Sequence, residues 1–251
     1  MKIQYCSDLH LEFAQNNIFL EKNPIVPKGE ILILAGDIVP LHEIFFKNSF
    51  FDYVSDNFKQ VYWLPGNHEF YQRDIADFAN NYNIEIRKNV ALVNNIAIAY
   101  KEVNFIFSTL WSKISLQNEK IIENSVSDFE IIFNKGKKIT TSDFNKFHEV
   151  CLDFIESSFL KKSDKTIVVT HHVPSKKCNS DEHNKSKINE AFCVDLTEFI
   201  KKCNADFWIY GHSHYNQKLL KIGNTFLLTN QLGYVHLNEQ KGYVDDAVFE
   251  I

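Results

Sequence analysis

The sequence has little of several features that would indicate particular classes of protein. Its five cysteines are odd in number and scattered, with no Cys-x-x-Cys pair, which argues against a zinc knuckle or a disulfide framework. No apolar run approaches the ~20 residues that a membrane-spanning helix needs. No basic and apolar leader precedes the first predicted strand. We therefore expect a protein of the reducing cytoplasm.

Basic residues are also too few for a protein whose main task is to bind duplex DNA. Lysine and arginine number 27 against 32 acidic residues, and the net charge is −5, whereas a duplex-binding domain usually has a basic face. The 251 residues are 45% hydrophobic and 24% charged, as in globular proteins with a sizeable core. Neither an internal repeat nor a clear linker divides them, so we predict a single domain over residues 1–251.

Five short apolar runs each end in residue types that bind metal ions. Runs of this length that are rich in β-branched and aromatic residues are typical of buried strands. Ligands of open α/β sheets bind at the carboxyl ends of the strands, so strands that share one sheet and one direction would bring these residues together. The runs and the residues after them are 3–6 with Asp8 and His10, 31–34 with Asp37, 61–64 with Asn67 and His68, 167–169 with His171, and 207–210 with His212 and His214.

The rest of the pattern predicts an α/β arrangement with a helical insertion. Residues 14–29 are polar and contain two prolines, so we expect a loop there. Apolar spacing predicts helices over residues 43–58 and 75–82, and a helical hairpin over residues 115–160. Three short strands are expected to pair antiparallel because no long helix separates them, and the C-terminal tail is interpreted as a β meander. These three strands are 90–93, 96–100 and 104–108.

Seven side chains at the predicted strand ends can bind divalent metal ions. Carboxylate, imidazole and amide oxygen groups suit Mn, Fe, Zn, Co or Ni. Seven ligands exceed what one ion can hold with an open position, whereas two ions that share one carboxylate account for all seven. Two such ions can clamp the attacking and leaving oxygens of phosphoryl transfer. The residues alone do not assign each ligand to an ion. The seven ligands are Asp8, His10, Asp37, Asn67, His171, His212 and His214, while His42, His148, His183 and His236 are interpreted as ordinary loop or core residues.

These motifs resemble those of the calcineurin-like metallophosphoesterases and occur in that family's order. The matching segments are Asp8-Leu9-His10, Gly36-Asp37, Gly66-Asn67-His68-Glu69, His171 and Gly211-His212-Ser213-His214. The resemblance implies a four-layer α/β/β/α sandwich with mixed sheets. It also implies that His68 does not bind metal but acts beside the phosphate as general acid or electrostatic stabiliser. The implied ligands are Asp8, His10 and His214 for one ion and Asn67, His171 and His212 for the other, with Asp37 bridging.

The chain departs from the protein Ser/Thr phosphatase branch of that family. In that branch the Gly-Asp motif continues to an Asp-Arg pair that orients the catalytic histidine and binds phosphate, but here Pro40 and Leu41 occupy those positions. His68 therefore needs another carboxylate or a carbonyl, and the phosphate needs another cation. The segments 109–111 and 230–234 look more like those of small bacterial phosphoesterases. The candidate cations are Arg73, Lys113, Lys176 and Lys177.

The predicted function is hydrolysis of a small-molecule phosphate ester, monoester or diester, by attack of a metal-bridging hydroxide, with manganese expected to support it in vitro. Counting two divalent ions, two aspartates and the hydroxide leaves one positive charge, which favours an anionic ester. A nuclease is the first alternative, but it would need basic or stacking side chains along a strand path. A non-catalytic scaffold would be expected to lack ligands, and none is missing. We interpret Glu12 as a solvated loop carboxylate and Tyr71 as a candidate wall residue of the substrate pocket.

Overall fold

The structure is a computed structural model that describes residues 1–159 and 165–251, which together form fourteen strands and seven α-helices. The strands are β1 (Lys2–Cys6), β2 (Ile31–Ala35), β3 (Gln60–Leu64), β4 (Tyr82–Arg87), β5 (Val90–Asn94), β6 (Ile96–Tyr100), β7 (Val103–Phe107), β8 (Phe133–Asn134), β9 (Lys137–Lys138), β10 (Lys165–Val169), β11 (Phe207–Ile209), β12 (Leu220–Ile222), β13 (Thr225–Leu228) and β14 (Val248–Glu250). The helices are α1 (Ala14–Lys22), α2 (Ser49–Asn57), α3 (Glu119–Glu123), α4 (Asp128–Ile131), α5 (Thr141–Ser158), α6 (Asp181–Lys185) and α7 (Thr197–Cys203).

Two mixed six-stranded sheets form the centre of the protein. The first has the order β14-β1-β2-β3-β5-β4, and the second has the order β12-β13-β11-β10-β7-β6. In each sheet four central strands run parallel and the two edge strands run antiparallel to their neighbours. The five ligand-bearing strands do not share one sheet, so the condition under which a single sheet would bring their ends together is not met. β1, β2 and β3 belong to the first sheet, and β10 and β11 belong to the second.

Strand β2 shows why the two sheets stack into four layers. All five of its residues are fully buried, because side chains alternate between two faces that are both covered. Ile31 and Ile33 face a core between the sheets that includes Phe105 and Phe107 of the second sheet. Leu32 and Leu34 face an outer core that helix α2 covers. A third core lies on the outer face of the second sheet, under α5 and α7. The predicted α/β/β/α sandwich is confirmed, while the prediction of a single domain stays a prediction.

The loop predicted over residues 14–29 is wrong for its first half, where helix α1 forms. The apolar residues of α1 have no helical periodicity, so the sequence pattern did not reveal it. The helix is anchored instead by the buried side chain of Asn16, whose Nδ2 donates hydrogen bonds to the carbonyls of Leu9 (2.9 Å) and Gly233 (2.8 Å). Tertiary hydrogen bonds thus position this helix in place of an apolar stripe.

The helix predicted over residues 75–82 is also wrong. Only one 3₁₀ turn forms there, at Ile75–Asp77, and Asp74 accepts a hydrogen bond from the backbone N–H of Ala76 at its start. Tyr82 then begins β4, which pairs antiparallel with β5 at the edge of the first sheet. The helix predicted over 43–58 is confirmed only in its second half, α2, which Asn48 caps through the N–H of Phe50.

Strand pairing near the middle and the end of the chain differs from the prediction in two places. β6 and β7 pair antiparallel as expected, but β5 joins the first sheet and runs parallel to β3. β12 and β13 form a hairpin, whereas β14 crosses to the first sheet and pairs with β1. The tail is therefore not a meander, because its last strand closes the edge of the other sheet.

The insertion over residues 115–160 is a helical hairpin only in part, because its first half is broken into pieces. The short helices α3 and α4 and the two-residue strands β8 and β9 precede the long helix α5, which begins with a capping box between Thr140 and Asp143. The break between α3 and α4, at residues 124–127, lies beside the predicted metal ligands. None of the helices in the described ranges is long and apolar enough to cross a membrane.

Candidate metal centre

The carboxyl ends of strands from both sheets meet and bring all seven predicted metal ligands together. Asp8 follows β1 and Asp37 follows β2, while His171 follows β10 in the other sheet. Six of the seven residues are buried, and the side chain of His214 is 13% exposed. The donor atoms fall into two neighbouring groups, one containing Asp8, His10 and His214 and the other containing Asp37, His171 and His212.

The first group joins two imidazoles and a carboxylate. Nε2 of His10 lies 3.0 Å from Nε2 of His214. The same His214 nitrogen lies 3.5 Å from Oδ1 of Asp8. Oδ2 of Asp37 lies 3.9 Å from Nε2 of His10. Four donor atoms therefore surround one small space.

The second group shares Asp37 with the first. The Oδ2 atom of Asp37 lies 3.3 Å from Nε2 of His171. That nitrogen is also 3.1 Å from Oδ1 of Asn67 and 3.1 Å from Nδ1 of His212. The amide oxygen of Asn67 faces the group because its Nδ2 donates to Asp128 on the other side, at 2.9 Å. The same carboxylate oxygen of Asp37 thus belongs to both groups.

Hydrogen bonds on the far side of three imidazoles fix which nitrogen faces inward. Nδ1 of His10 lies 3.1 Å from a carboxylate oxygen of Glu12, and Nδ1 of His214 lies 2.6 Å from one of Glu239. Nδ1 of His171 lies 2.9 Å from the carbonyl oxygen of Ala35. Each acceptor requires a proton on Nδ1, so Nε2 of each ring faces the site and offers a lone pair when the ring is neutral. Outer partners of this kind are typical of metal-binding histidines.

The backbone at these residues adopts a conformation that side chains other than glycine rarely take. Five of the seven residues have positive φ angles, in the left-handed region that is uncommon for non-glycine residues. Such strain costs of order 1–3 kcal/mol per residue and clusters at functional sites. The residues and angles are Asp8 (56°), His10 (47°), Asp37 (55°), His212 (77°) and His214 (51°).

Two glycines allow backbone to pass against the donor atoms. A β-carbon on Gly66 would lie 2.2 Å from Oδ1 of Asp37 and 2.5 Å from Nε2 of His171. A β-carbon on Gly36 would lie 2.2 Å from Nδ1 of His171, and the φ of Gly36 is 95°. Only glycine fits at these positions, because any side chain would displace the donor groups.

Buried carboxylates make the potential at the site negative. Burial alone would lower the pKa of His171, yet Asp37 and Asp8 raise it to about 9. Burial also acts to lower the pKa of His214, and hydrogen bonds to Asp8 and Glu239 raise it to about 10. Burial lowers the pKa of His10 and His212, so the protons are held at His171 and His214. The carboxylates that hold those two protons would also favour a metal cation, which would take the place of the protons.

Glu69, in the same motif as Asn67 and His68, connects two loops of the site through hydrogen bonds. Its buried carboxylate accepts hydrogen bonds from the backbone N–H groups of Asp37 (2.9 Å), Ile38 (2.7 Å) and Gly66 (2.6 Å), and from Nε1 of Trp63 (2.9 Å). Burial and the neighbouring Asp37 raise the pKa of Glu69, and these donors oppose that shift by stabilising the anion. The carboxylate thereby fixes the loops after β2 and β3 relative to each other.

Replacing Glu69 with glutamine should lower the free energy of unfolding by about 2–4 kcal/mol, because one amide oxygen cannot accept all four buried N–H groups. Urea unfolding in EDTA measures this effect without a contribution from bound metal. Glu85→Gln, on the exposed edge strand β4, is the matched control and should change stability little. An equal stability of E69Q and E85Q would contradict the proposed role of this carboxylate.

The structure identifies the group that orients His68, which the sequence left open. Nδ1 of His68 lies 2.9 Å from Oε1 of Glu12, the same oxygen that contacts Nδ1 of His10. The interpretation of Glu12 as a solvated loop carboxylate is therefore wrong. Burial acts to raise the pKa of Glu12, but its hydrogen bonds with the two histidines lower it to about 2. On the other side of the ring, Nε2 of His68 lies 3.1 Å from the hydroxyl of Tyr234, and Tyr71 packs on the ring face at 3.9 Å between centroids.

The insertion contributes an acidic residue that the sequence analysis did not single out. Asp128, at the start of α4, is buried and accepts hydrogen bonds from Nδ2 of Asn67 and from the hydroxyl of Tyr71, both at 2.9 Å. Burial raises the pKa of Asp128. Its separation of 61 residues from Asn67 explains why no local pattern indicated it. Asp128 therefore links the insertion to both the metal ligands and the wall around His68.

A cleft of about 290 Å³ opens over the site. Tyr71, the candidate wall residue, lines it. Of the predicted cations, the three lysines are exposed and Arg73 lies over the ring of Phe78 at 5.7 Å. Among the described residues, no lysine or arginine lines the cleft. The lining residues include Asp37, Asn67, His68, Tyr71, Val126, Asp128, Phe192, His212, Ser213, His214, Tyr234 and Glu239.

The arrangement fits divalent metal ions by its chemistry. Imidazole nitrogens, carboxylate oxygens and an amide oxygen converge, with neighbouring donor atoms 3.0–3.9 Å apart. Nitrogen and oxygen donors of this kind suit Mn, Fe, Zn, Co and Ni. Nδ1 of His212 lies 3.1 Å from Nε2 of His171 and is therefore the nitrogen that faces this group, while its Nε2 is buried and has no hydrogen-bond partner among the described residues. A cation in each group would be bound by these donor atoms, in place of the direct contacts that they now make with each other.

Comparison with known proteins agrees with this chemistry. Residues 1–216 match the calcineurin-like phosphoesterase family. A protein of Acanthamoeba polyphaga mimivirus called uncharacterized protein L509 is 33% identical over 263 aligned residues, which cover 93% of this chain and 91% of that protein. The crystal structure of the phosphopantetheinyl hydrolase PptH from Mycobacterium tuberculosis superposes with a TM-score of 0.74 and 15% identity, covering 99% of this chain and 95% of PptH. At this identity the likeness to PptH shows the shared fold.

The family match and the donor groups together support a metal-dependent phosphohydrolase. The match covers every motif named in the sequence analysis, from Asp8 to His214. The two stacked sheets match the fold of that family as well. The chain therefore belongs to the calcineurin-like phosphoesterase family.

Proposed function

We propose that the protein uses two divalent metal ions to hydrolyse a phosphate ester of a small molecule. The observation that carries the proposal is the position of Asp37, whose Oδ2 atom lies 3.9 Å from Nε2 of His10 and 3.3 Å from Nε2 of His171. One carboxylate oxygen is thus shared between both donor groups, which is what a bridging ligand requires. A single-ion site would leave one of the two groups without a function.

The donor groups define which residues would hold each ion. Bound ions of this kind polarise the phosphate and lower the pKa of water toward ~7. The mixed nitrogen and oxygen donors suit Mn, Fe, Zn, Co or Ni, and manganese is our choice for assays. One ion would be held by Asp8, His10, Asp37 and His214, and the other by Asp37, Asn67, His171 and His212.

His68 is proposed to donate a proton to the leaving oxygen or to stabilise its charge. The hydrogen bond to Glu12 fixes the ring orientation and keeps a proton on Nδ1. The packing of Tyr71 against the ring restricts its rotation. Nε2 is then presented to the cleft beside the hydroxyl of Tyr234, which can donate a hydrogen bond to a phosphate oxygen. Glu12 thus performs the orienting role that Pro40 and Leu41 cannot.

A substrate panel with metal-free and reconstituted protein tests the proposal. Protein dialysed against EDTA would be supplied with Mn²⁺ or another of the five metals, then assayed on aryl phosphate monoesters and diesters, cyclic nucleotides, and single- and double-stranded DNA. We expect metal-dependent hydrolysis of at least one small ester and uptake close to two ions per chain. Protein that takes up no divalent ion and hydrolyses nothing would instead be the scaffold of the same fold.

A nuclease is the second candidate within this chemistry, and the cleft gives it less support. A nucleic-acid strand needs basic or stacking side chains along its path. Tyr71, Phe192 and Tyr234 offer stacking surfaces in the cleft, but no lysine or arginine is present among the described residues that line it. Faster hydrolysis of DNA than of every small ester in the panel would favour the nuclease.

A further inference from the structure

A second cavity opens beside the metal cleft and shares part of its wall. It lies between residues 179–192 and Ser213, and we call it the side pocket. Its volume is about 180 Å³, and it shares Ile188, Phe192 and Ser213 with the cleft. At ~30 Å³ per water molecule, this space corresponds to roughly six waters. This volume is large enough for a group the size of an aromatic ring, and the three shared residues place it next to the cleft.

The walls of the side pocket suit an uncharged group. Of the residues that the structure describes, no lysine, arginine, aspartate or glutamate lines it. Its polar side chains largely satisfy each other, because Nδ2 of Asn179 donates to Oδ1 of Asn189 at 2.7 Å and Oδ1 of Asn179 lies 3.1 Å from Nδ1 of His183. The hydroxyl of Ser213, which lines both cavities, is buried and has no hydrogen-bond partner in the described part of the chain. The surface that these residues expose to the side pocket is therefore mainly apolar, although five of the seven side chains are polar, and the Ser213 hydroxyl remains available to a ligand.

The side pocket lies beside the proposed metal ligands, and His68 is not part of its wall. Phe192 stacks on the ring of His212 with centroids 4.8 Å apart and forms a wall of both cavities. His68 lines the cleft but not the side pocket. A leaving group would be placed near His68, so the side pocket would receive the substituent that stays on phosphorus.

The charge around the cleft favours an ester with one negative charge over an ester with two. Two divalent ions would bring four positive charges, and a protonated His68 would add one. The hydroxide of the sequence-based count brings one negative charge, and the five carboxylates that contact the donor groups or His68 bring five, which leaves a sum of −1. A phosphate monoester carries about −1.5 to −2 at pH 7, whereas a diester carries one negative charge. The sequence-based count gave a positive remainder because it included only two carboxylates. The five are Asp8, Glu12, Asp37, Asp128 and Glu239.

We propose that the substrate is a phosphodiester whose retained substituent is uncharged, largely apolar and about the size of an aromatic ring, and that the side pocket binds this substituent. The inference rests on the proposed phosphohydrolase function and assigns its substrate class. Hydrolysis would break the bond between phosphorus and the leaving oxygen near His68 and add water to phosphorus. The products are an alcohol and a phosphate monoester that still carries the substituent of the side pocket.

Three esters with the same leaving group test the inference with the Mn²⁺-loaded enzyme. They are p-nitrophenyl phosphate, methyl p-nitrophenyl phosphate and phenyl p-nitrophenyl phosphate. We expect kcat/KM to be at least tenfold higher for the phenyl diester than for the methyl diester, and higher for both diesters than for the monoester. Hydrolysis of the monoester as fast as the phenyl diester would overturn the inference and leave the proposed function intact. If the enzyme hydrolyses none of the three esters and no ester of the wider panel, both the inference and the proposed function are overturned.

A variant that fills the side pocket separates binding there from binding in the cleft. Ser186 is exposed and lines the side pocket but not the cleft, so Ser186→Trp should reduce kcat/KM for the phenyl diester to the level of the methyl diester. Ser157→Trp, on the exposed face of α5, is the matched control and should keep the difference. Calorimetric titration with diphenyl and dimethyl phosphate gives a readout without turnover. We expect the wild type and S157W to bind diphenyl phosphate at least tenfold more tightly than dimethyl phosphate. We expect S186W to show no such preference. Retention of that preference by S186W would overturn the assignment of the side pocket.

Discussion

Replacing Asp37 with asparagine should reduce kcat/KM by at least ~10³-fold, because the bridging metal pair supplies several kcal/mol and each ~1.4 kcal/mol is tenfold in rate. Asp37 is buried, and its Oδ2 atom is the donor that both groups share. Asparagine has nearly the same shape but lacks the negative charge and one of the two acceptor oxygens. Its Oδ1 could still accept the hydrogen bond from the backbone N–H of His68, which Asp37 accepts at 2.9 Å.

Metal content measured by mass spectrometry distinguishes this explanation from unfolding. We expect D37N to hold fewer than two ions per chain under conditions in which the wild type holds two, with an unchanged far-ultraviolet circular dichroism spectrum. Asp153→Asn, at an exposed position of α5, is the matched control and should keep both activity and metal. Full activity of D37N would contradict the proposed bridging role.

Replacing His68 with alanine should lower kcat by ~10²–10⁴-fold, the usual contribution of a positioned general acid or base. The imidazole is held between Glu12 and Tyr234 and is not among the proposed metal ligands. We therefore expect H68A to keep its full metal content, in contrast to D37N. The loss should be smaller for esters with a good leaving group such as p-nitrophenolate than for esters with an alkoxide leaving group, because a good leaving group needs less protonation.

His236→Ala provides the matched histidine control, since His236 is exposed and does not line the cleft. We expect H236A to keep the kcat of the wild type on both kinds of ester. Equal losses of H68A on p-nitrophenyl and alkyl esters would contradict a role at the leaving group. Loss of metal from H68A would mean that its imidazole supports the ions rather than the leaving oxygen.

The metal donors could be predicted from the sequence because each follows a short buried strand. The end of a parallel strand fixes where the next residues go, and Asp8, Asp37 and His171 illustrate this in two different sheets. Continuous apolar strands indicate that both faces are covered, but they do not say whether the strands share a sheet. The pairing of β5 with β3, and of β14 with β1, depends on contacts that are distant in sequence.

The acidic residues around the donors could not be predicted in the same way. Glu12 has the sequence surroundings of a solvated loop residue, and only the position of His68, 56 residues later, gives it a role. Asp128 lies in a broken helix of the insertion and reaches Asn67 through tertiary packing. Helix α1 was missed for a related reason, because the side chain of Asn16 holds it in place. Polar tertiary contacts of this kind leave no periodic pattern in the sequence.

The position of bound metal tests the central claim most directly. Crystals grown with Mn²⁺ would be measured near the manganese absorption edge, where anomalous scattering locates the ions without reference to the protein atoms. We predict two anomalous peaks, both in contact with Asp37, with one beside His10 and His214 and the other beside Asn67 and His171. A single peak, or two peaks that do not share Asp37, would contradict the proposed two-metal centre.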